Sequence, residues 1–180
     1  NFRALQLTKV IVILIINQKE KRNDMHTKNS IVNDIKQSGI KKNGTLLIHS
    51  SMKAVGKVEG GGDAVLDAFI DYMKEGLLLF PTHSWSENNL ADGIYDPKIE
   101  PACVGILPNL FMKRPGAIRS MHPTHSVTAM GPRAKDYILR DSDKKILTPC
   151  PRNGCFGGLY DEEAKLLFLG ATLKTNTFSQ

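Results

Sequence analysis

Two short apolar runs constrain what this chain can fold into. Thr45-Leu46-Leu47-Ile48 and Leu77-Leu78-Leu79-Phe80 are unbroken, without the alternation of a half-exposed strand. Such runs suit strands buried on both faces, as in a parallel sheet covered by helices. Between them lies a loop over 49–62 that ends in Gly60-Gly61-Gly62. After it, Val65, Leu66, Phe69, Ile70 and Met73 recur at three-to-four spacing, the apolar face of a helix. Asp63 is the expected cap of that helix and Gly76 its stop. Strand, loop, helix and strand in this order predict a βαβ unit with a parallel, right-handed crossover. The fold class that follows is α/β, a central parallel or mixed sheet with flanking helices.

The flanking segments fit that frame. Asn29-Ser30 are the expected cap of a short helix carrying Ile31, Val32 and Ile35, ended at Ser38-Gly39. Residues 81–103 are polar and irregular, too long for a plain connection, and predict a functional loop. A helix is expected over 105–113, with Pro108 in its first turn. A strand is expected from His125 to Met130, a helix from Pro132 to about Arg140, and a last strand from Lys165 to Leu169 ended by Gly170. Residues 141–158 read as loop.

The first 24 residues are of a different kind. They hold Arg3, Lys9, Lys19, Lys21 and Arg22 against Glu20 and Asp24, so they carry +3 of the chain's net +6. Val10–Ile16 is apolar throughout, yet far shorter than the roughly 20 residues of a membrane span, and no small-residue cleavage site follows it. Residues 1–24 are expected to be a non-native upstream or disordered extension making few core contacts. Residues 25–180, starting at Met25, are then the N-terminal portion of a single domain. The competing reading is a genuine N-terminal strand.

Charge and cysteine content exclude several classes. No basic stripe interleaved with aromatic residues marks a nucleic-acid partner, and nothing marks a membrane. Three cysteines, Cys103, Cys150 and Cys155, are too few and too scattered for a disulfide framework, and point to a cytoplasmic protein. Cys150 and Cys155 with His122 and His125 match no zinc spacing, so no metal is expected.

The remaining signals sit in loops after strands, where open α/β sheets bind ligands. His49-Ser50-Ser51, with Gly56 and the Gly60–Gly62 run, can turn hydroxyls and amides toward an anion. The chain has neither a P-loop nor a dinucleotide fingerprint. It also lacks a Gly-x-Ser-x-Gly elbow to make Ser51 a nucleophile. Arg119-Ser-Met-His122-Pro-Thr-His125 places a guanidinium, a hydroxyl and two imidazoles just before a strand. Arg119 has the fork geometry for a phosphate, and a histidine here can serve as a general base. Glu59 and the acidic residues of 86–100 would hold and steer a polycation.

Taken together and in order, these segments resemble the aminoglycoside 3-N-acetyltransferase family over nearly all of residues 29–177. The pieces that carry the resemblance are His49-Ser50-Ser51-Met52 with Val58-Glu59-Gly60-Gly61, and Phe80-Pro81-Thr82-His83-Ser84-Trp85. Glu100-Pro101-Ala102-Cys103-Val104-Gly105-Ile106-Leu107-Pro108 and Pro115-Gly116-Ala117-Ile118-Arg119-Ser120-Met121-His122-Pro123 follow, then Thr148-Pro149-Cys150 and Leu169-Gly170 with Asn176-Thr177.

The resemblance implies direct transfer of acetyl from acetyl-coenzyme A, a co-substrate, to the 3-amino group of a 2-deoxystreptamine aminoglycoside, which is antibiotic resistance. It implies coenzyme contacts from His49, Ser50, Ser51, Gly56, Arg119, Ser120 and His122, and substrate contacts from Glu59, His83 and Trp85. The family's general-base histidine falls at Gln180, and glutamine cannot take up a proton at useful pH. The expectation is therefore a C-terminally truncated family member whose 180 residues do not turn over. The alternatives are an acetyltransferase for another small amine, and a non-catalytic remnant that only binds coenzyme A.

Overall fold

The structure, a computed structural model, describes residues 12–13, 25–85, 95–142 and 148–177. At its centre, among the described residues, six strands lie side by side in the order β1-β6-β2-β3-β5-β4. They are β1 Val12–Ile13, β2 Thr45–Ser50, β3 Leu77–Pro81, β4 Ile118–Arg119, β5 Val127–Met130 and β6 Lys165–Leu169. The first four in that spatial order are parallel. β5 then runs antiparallel to β3, and β4 antiparallel to β5, so the sheet is mixed.

The apolar runs are unbroken because helices cover both faces. Leu46 and Ile48, Leu78 and Phe80, and Leu167 and Leu169 point to one side. There they meet α1 Lys28–Gln37, α3 Gly61–Tyr72 and α4 Ile106–Met112 through Ile35, Phe69 and Phe111. Leu47, Leu77, Leu79, Leu166 and Phe168 point to the other. They pack on Tyr137 of α5 Ala134–Ile138 and on Phe156 and Leu159 of α6 Cys155–Asp161. No described helix is long and apolar enough to cross a membrane.

Several boundaries differ from expectation for identifiable reasons. Thr27, not Asn29-Ser30, caps α1. Its hydroxyl accepts from Ser30 N at 3.2 Å while Thr27 N donates to Ser30 Oγ at 3.0 Å. This reciprocal pair satisfies two amides that the first helical turn leaves open. Thr27→Ala is expected to cost about 1 kcal/mol, read as a lower urea midpoint at unchanged slope.

In α3 the left-handed Gly60 stands at the cap, and Asp63 lies in the first turn, paired with Arg114 at 2.8 Å. The expected loop over 49–62 contains the short helix α2 Met52–Val55 and a parallel bridge between His26 and Val58. β5 begins at Val127 rather than His125, because residues 123–125 turn. The helix after Pro132 begins at Ala134 and tightens into a 3-10 turn over Leu139–Asp141.

α6 begins inside the expected loop over 141–158. Gly157 stands in it for close approach, since a Cβ there would lie 2.0 Å from the Arg152 carbonyl oxygen. At the chain's start, Val12 and Ile13 pair with Leu166 and Leu167 at the sheet's edge. The other residues before Met25 lie outside the described residues.

Candidate active site

The parallel strands β6, β2 and β3 all end at one rim. His49-Ser50 close β2, Pro81 closes β3, and Gly170 follows β6 in the left-handed region with φ 68°. Gly170 is needed there, since a Cβ would sit 2.6 Å from the Ser51 carbonyl oxygen. A cavity of about 300 Å³ opens between these strand ends. Its walls are Ile48, His49 and Ser50, then Pro81, His83 and Trp85, then Val104 and Pro108, and finally Lys174, Thr175 and Thr177.

His49 lies flat on Phe168, with centroids 5.0 Å apart and planes 10° apart, and is buried. Burial lowers its pKa to about 4. Its Nε2 and the Ser50 hydroxyl are buried without a hydrogen-bond partner. His83, 2% exposed, is bonded through Nε2 to Thr177 Oγ1 at 3.1 Å, while its Nδ1 has no partner. Burial first, then the imidazole of His125, lowers its pKa to about 2. Its ring touches Trp85, His125 and Phe156 at centroid distances of 4.5, 4.7 and 5.4 Å.

At neutral pH both imidazoles are therefore uncharged. Lys174 is the one cationic side chain in the described lining, which holds no carboxylate. Such a lining suits a neutral or anionic ligand. Unpartnered buried polar atoms are uncommon in folded proteins, and three of them here belong to residues that line one cavity.

Of Ser50, Ser51, Arg119 and Ser120, all expected coenzyme contacts, only Ser50 lines this cavity. Arg119 is buried on the edge strand β4. Its nitrogens donate to Ser126 Oγ at 2.9 Å, to Thr82 O at 2.6 Å and to Glu100 O. Ser120 is fully buried; its hydroxyl donates to Asp141 Oδ2 at 2.6 Å and accepts from Val127 N. Asp141 in turn accepts from Cys155 N at 2.8 Å, tying this strand to the start of α6.

His122 ties its own turn to the segment at Thr148. Nδ1 accepts from His125 N at 2.9 Å, which leaves Nε2 to donate to Thr148 O at 3.1 Å. Ser51 starts α2, and Gly56 ends it with φ 91°. Glu59 is exposed and does not line the cavity. Gln180 lies outside the described residues. Of the expected residues the cavity thus gathers His49, Ser50, His83 and Trp85. Ile48, Pro81, Val104, Pro108, Thr177, Lys174 and Thr175 were missed as lining residues. The signal for the last two was their place after a buried strand and a glycine.

The chain is similar to known proteins. A family model described as aminoglycoside 3-N-acetyltransferase matches residues 47–179. Among curated relatives, an aminoglycoside N(3')-acetyltransferase-like protein from Bacillus subtilis strain 168, derived from the SPbeta prophage, is 31% identical over 172 residues. That match covers 84% of this chain and 62% of the relative. Aminoglycoside N(3)-acetyltransferase IX from Micromonospora chalcea is 30% identical, over 84% of this chain and 59% of its own length. The chain therefore spans about 60% of the length of these relatives. A solved structure of aminoglycoside acetyltransferase AAC(3)-IVa, a variant in complex with gentamicin, superposes with a TM-score of 0.77 at 25% identity. The superposition covers 88% of this chain and 59% of that one.

Proposed function

We propose that this chain, which belongs to the aminoglycoside 3-N-acetyltransferase family, binds acetyl-coenzyme A at the cavity between β2, β3 and β6. In the whole protein, the acetyl group then passes to the 3-amino group of a 2-deoxystreptamine aminoglycoside. The single observation that carries this reading is the lining of the cavity. It is uncharged apart from Lys174, and three of its buried polar atoms lack partners. A thioester arm is neutral and offers carbonyl oxygens and amides to such atoms.

In the reaction, the free amine attacks the thioester carbonyl, the carbon–sulfur bond breaks, and the coenzyme thiol leaves. Negative charge grows on the carbonyl oxygen as the amine adds, so a fixed neutral donor beside it lowers the barrier. His83 is suited to that task and unsuited to proton uptake, because its imidazole stays uncharged far below pH 7. Neither His83 nor His49 is therefore the base that frees the amine. Three unpaired cysteines accord with a reducing cytoplasm.

A second reading, transfer to a small amine with a single charge, is supported by a described lining that holds Lys174 and no carboxylate to pair with a polycation. The test has two stages. Acetyl-coenzyme A should change the emission of Trp85 saturably. With the whole protein, thiol release should then rise on adding gentamicin, and not with a simple monoamine. Release with the monoamine alone would favour the second reading. Absence of acetyl-coenzyme A binding by fluorescence and calorimetry alike would overturn both.

A further inference from the structure

We propose that Arg119 is a positioning residue. Its guanidinium sets the place of the His83–Trp85 wall of the cavity without itself touching a ligand. The wall follows Thr82, the first residue after β3. Arg119 holds Thr82 and Glu100 together, donating to Thr82 O at 2.6 Å and to Glu100 O. Ser126 braces the same point, accepting from Arg119 Nε at 2.9 Å and donating to Thr82 O at 2.7 Å. The ring of Tyr95 lies 5.3 Å from the guanidinium, and its hydroxyl donates to Ser120 O at 3.1 Å.

A planar fork reaches two carbonyls on diverging limbs with its donor directions fixed, whereas an ammonium is a point charge on a flexible stem with no preset geometry. The residue after Thr82 is His83, whose carbonyl accepts from Cys103 N at 2.8 Å and whose ring holds Thr177. Trp85 packs on His83 with the rings tilted by 37° and stacks on His125. Moving the Thr82 carbonyl therefore moves His83, and with it Trp85 and the contact to Thr177. The guanidinium is buried, each of its nitrogens already has a protein acceptor, and Arg119 is not among the residues that line the cavity.

The choice of ligand for the test rests on the proposed coenzyme site, but the wall itself is read without ligand. Trp85 is the chain's sole tryptophan, so emission and acrylamide quenching report its surroundings directly. Two variants of the full chain are compared, Arg119→Lys, which keeps the charge, and Ser126→Ala, which keeps the arginine. Far-UV circular dichroism confirms that each is folded; should Arg119→Lys fail to fold, Ser126→Ala decides.

The expected result is a red-shifted, more quenchable Trp85 in both variants, more so in Arg119→Lys. Coenzyme A and phosphate-free pantetheine should then weaken by the same factor, about ten-fold, as for one lost charge-assisted contact. Loss of coenzyme A affinity with pantetheine unchanged would overturn the proposal by making Arg119 a phosphate ligand. Unchanged Trp85 emission and quenching in both variants would overturn it too. If the unaltered chain binds neither ligand, the coenzyme reading fails, and the Trp85 comparison alone decides for or against the clamp.

Discussion

Gly131→Ala should destabilise the fold by more than about 4 kcal/mol, in the range kept for changes that break a packed backbone. Gly131 has φ 125°, a conformation that residues with a side chain rarely adopt. A Cβ there would lie 2.0 Å from the Gly76 carbonyl oxygen and 3.1 Å from its carbonyl carbon. Neither atom can swing aside as a side chain would. Gly76 is itself pressed on the far side, where a Cβ would meet Gly44 O at 2.5 Å and Lys42 O at 2.7 Å. Three backbone segments thus stack at the start of β2 and β3 and the end of β5. Gly39→Ala is the control, with φ 73° but nothing within 4 Å, and should cost only about 1–2 kcal/mol. Urea midpoints of the two variants would test this, and equal costs would show that the close approach does not matter. Against a total stability of about 5–15 kcal/mol, the Gly131 change leaves little.

The second large effect is acid lability between pH 6.5 and about 4. Buried imidazoles that stay uncharged in the fold take up protons only when the chain unfolds. The unfolded state then binds more protons than the native one, so stability rises with pH across that window. The contribution is complete above pH 6.5, the unfolded value, and is lost as pH falls. For His49 the loss continues down to about 4 and amounts to about 3 kcal/mol. His83 loses more and over a wider range, since its folded value is about 2. His125 is lowered in the same direction by burial and by His122. Carboxylates held low in the fold lose their contribution only nearer pH 4 and below, so the upper part of the window belongs to the histidines. Urea midpoints should fall steadily from pH 7 to pH 4.5, and His49→Phe should flatten the slope. A midpoint independent of pH in that interval would refute the uncharged state of these rings.

Much of this was readable in advance because burial leaves a mark on composition. Thr45–Ser50, Leu77–Pro81 and Lys165–Leu169 are apolar on both faces, and a sheet covered by helices is the ready explanation. The direction of β5 was not readable, since an antiparallel strand of four residues between two turns has the same pattern as a parallel one. α6 is masked by two adjacent glycines, of which Gly157 serves a close approach to the Arg152 backbone rather than a turn. In the cavity, His83 and Thr177 meet although they are 94 positions apart, a pairing that no local pattern carries. At Arg119 local sequence and packing point to different partners. A guanidinium beside histidines in a loop reads as a phosphate ligand, yet here its acceptors are carbonyls and a hydroxyl from segments distant in the chain.

The place of β6 in the sheet has a consequence for biosynthesis. It lies between β1 and β2, and pairs Leu46 with Lys165 and Ser50 with Leu169, so the inner edge of β2 waits for residues made about 120 positions later. Closing so long a loop adds little to the equilibrium cost, because that cost grows only with the logarithm of length. Its effect falls on the order and speed of folding. At about 5–20 residues per second, the ribosome takes roughly 6–24 s to deliver the partner strand. Throughout that interval β2 presents an apolar strand with bare amides and carbonyls along one edge, a template for pairing with any other nascent chain. The yield of folded protein should therefore respond to translation speed through residues 51–164, and to chaperones that shield strand edges, more than to substitutions on the exposed faces of its helices.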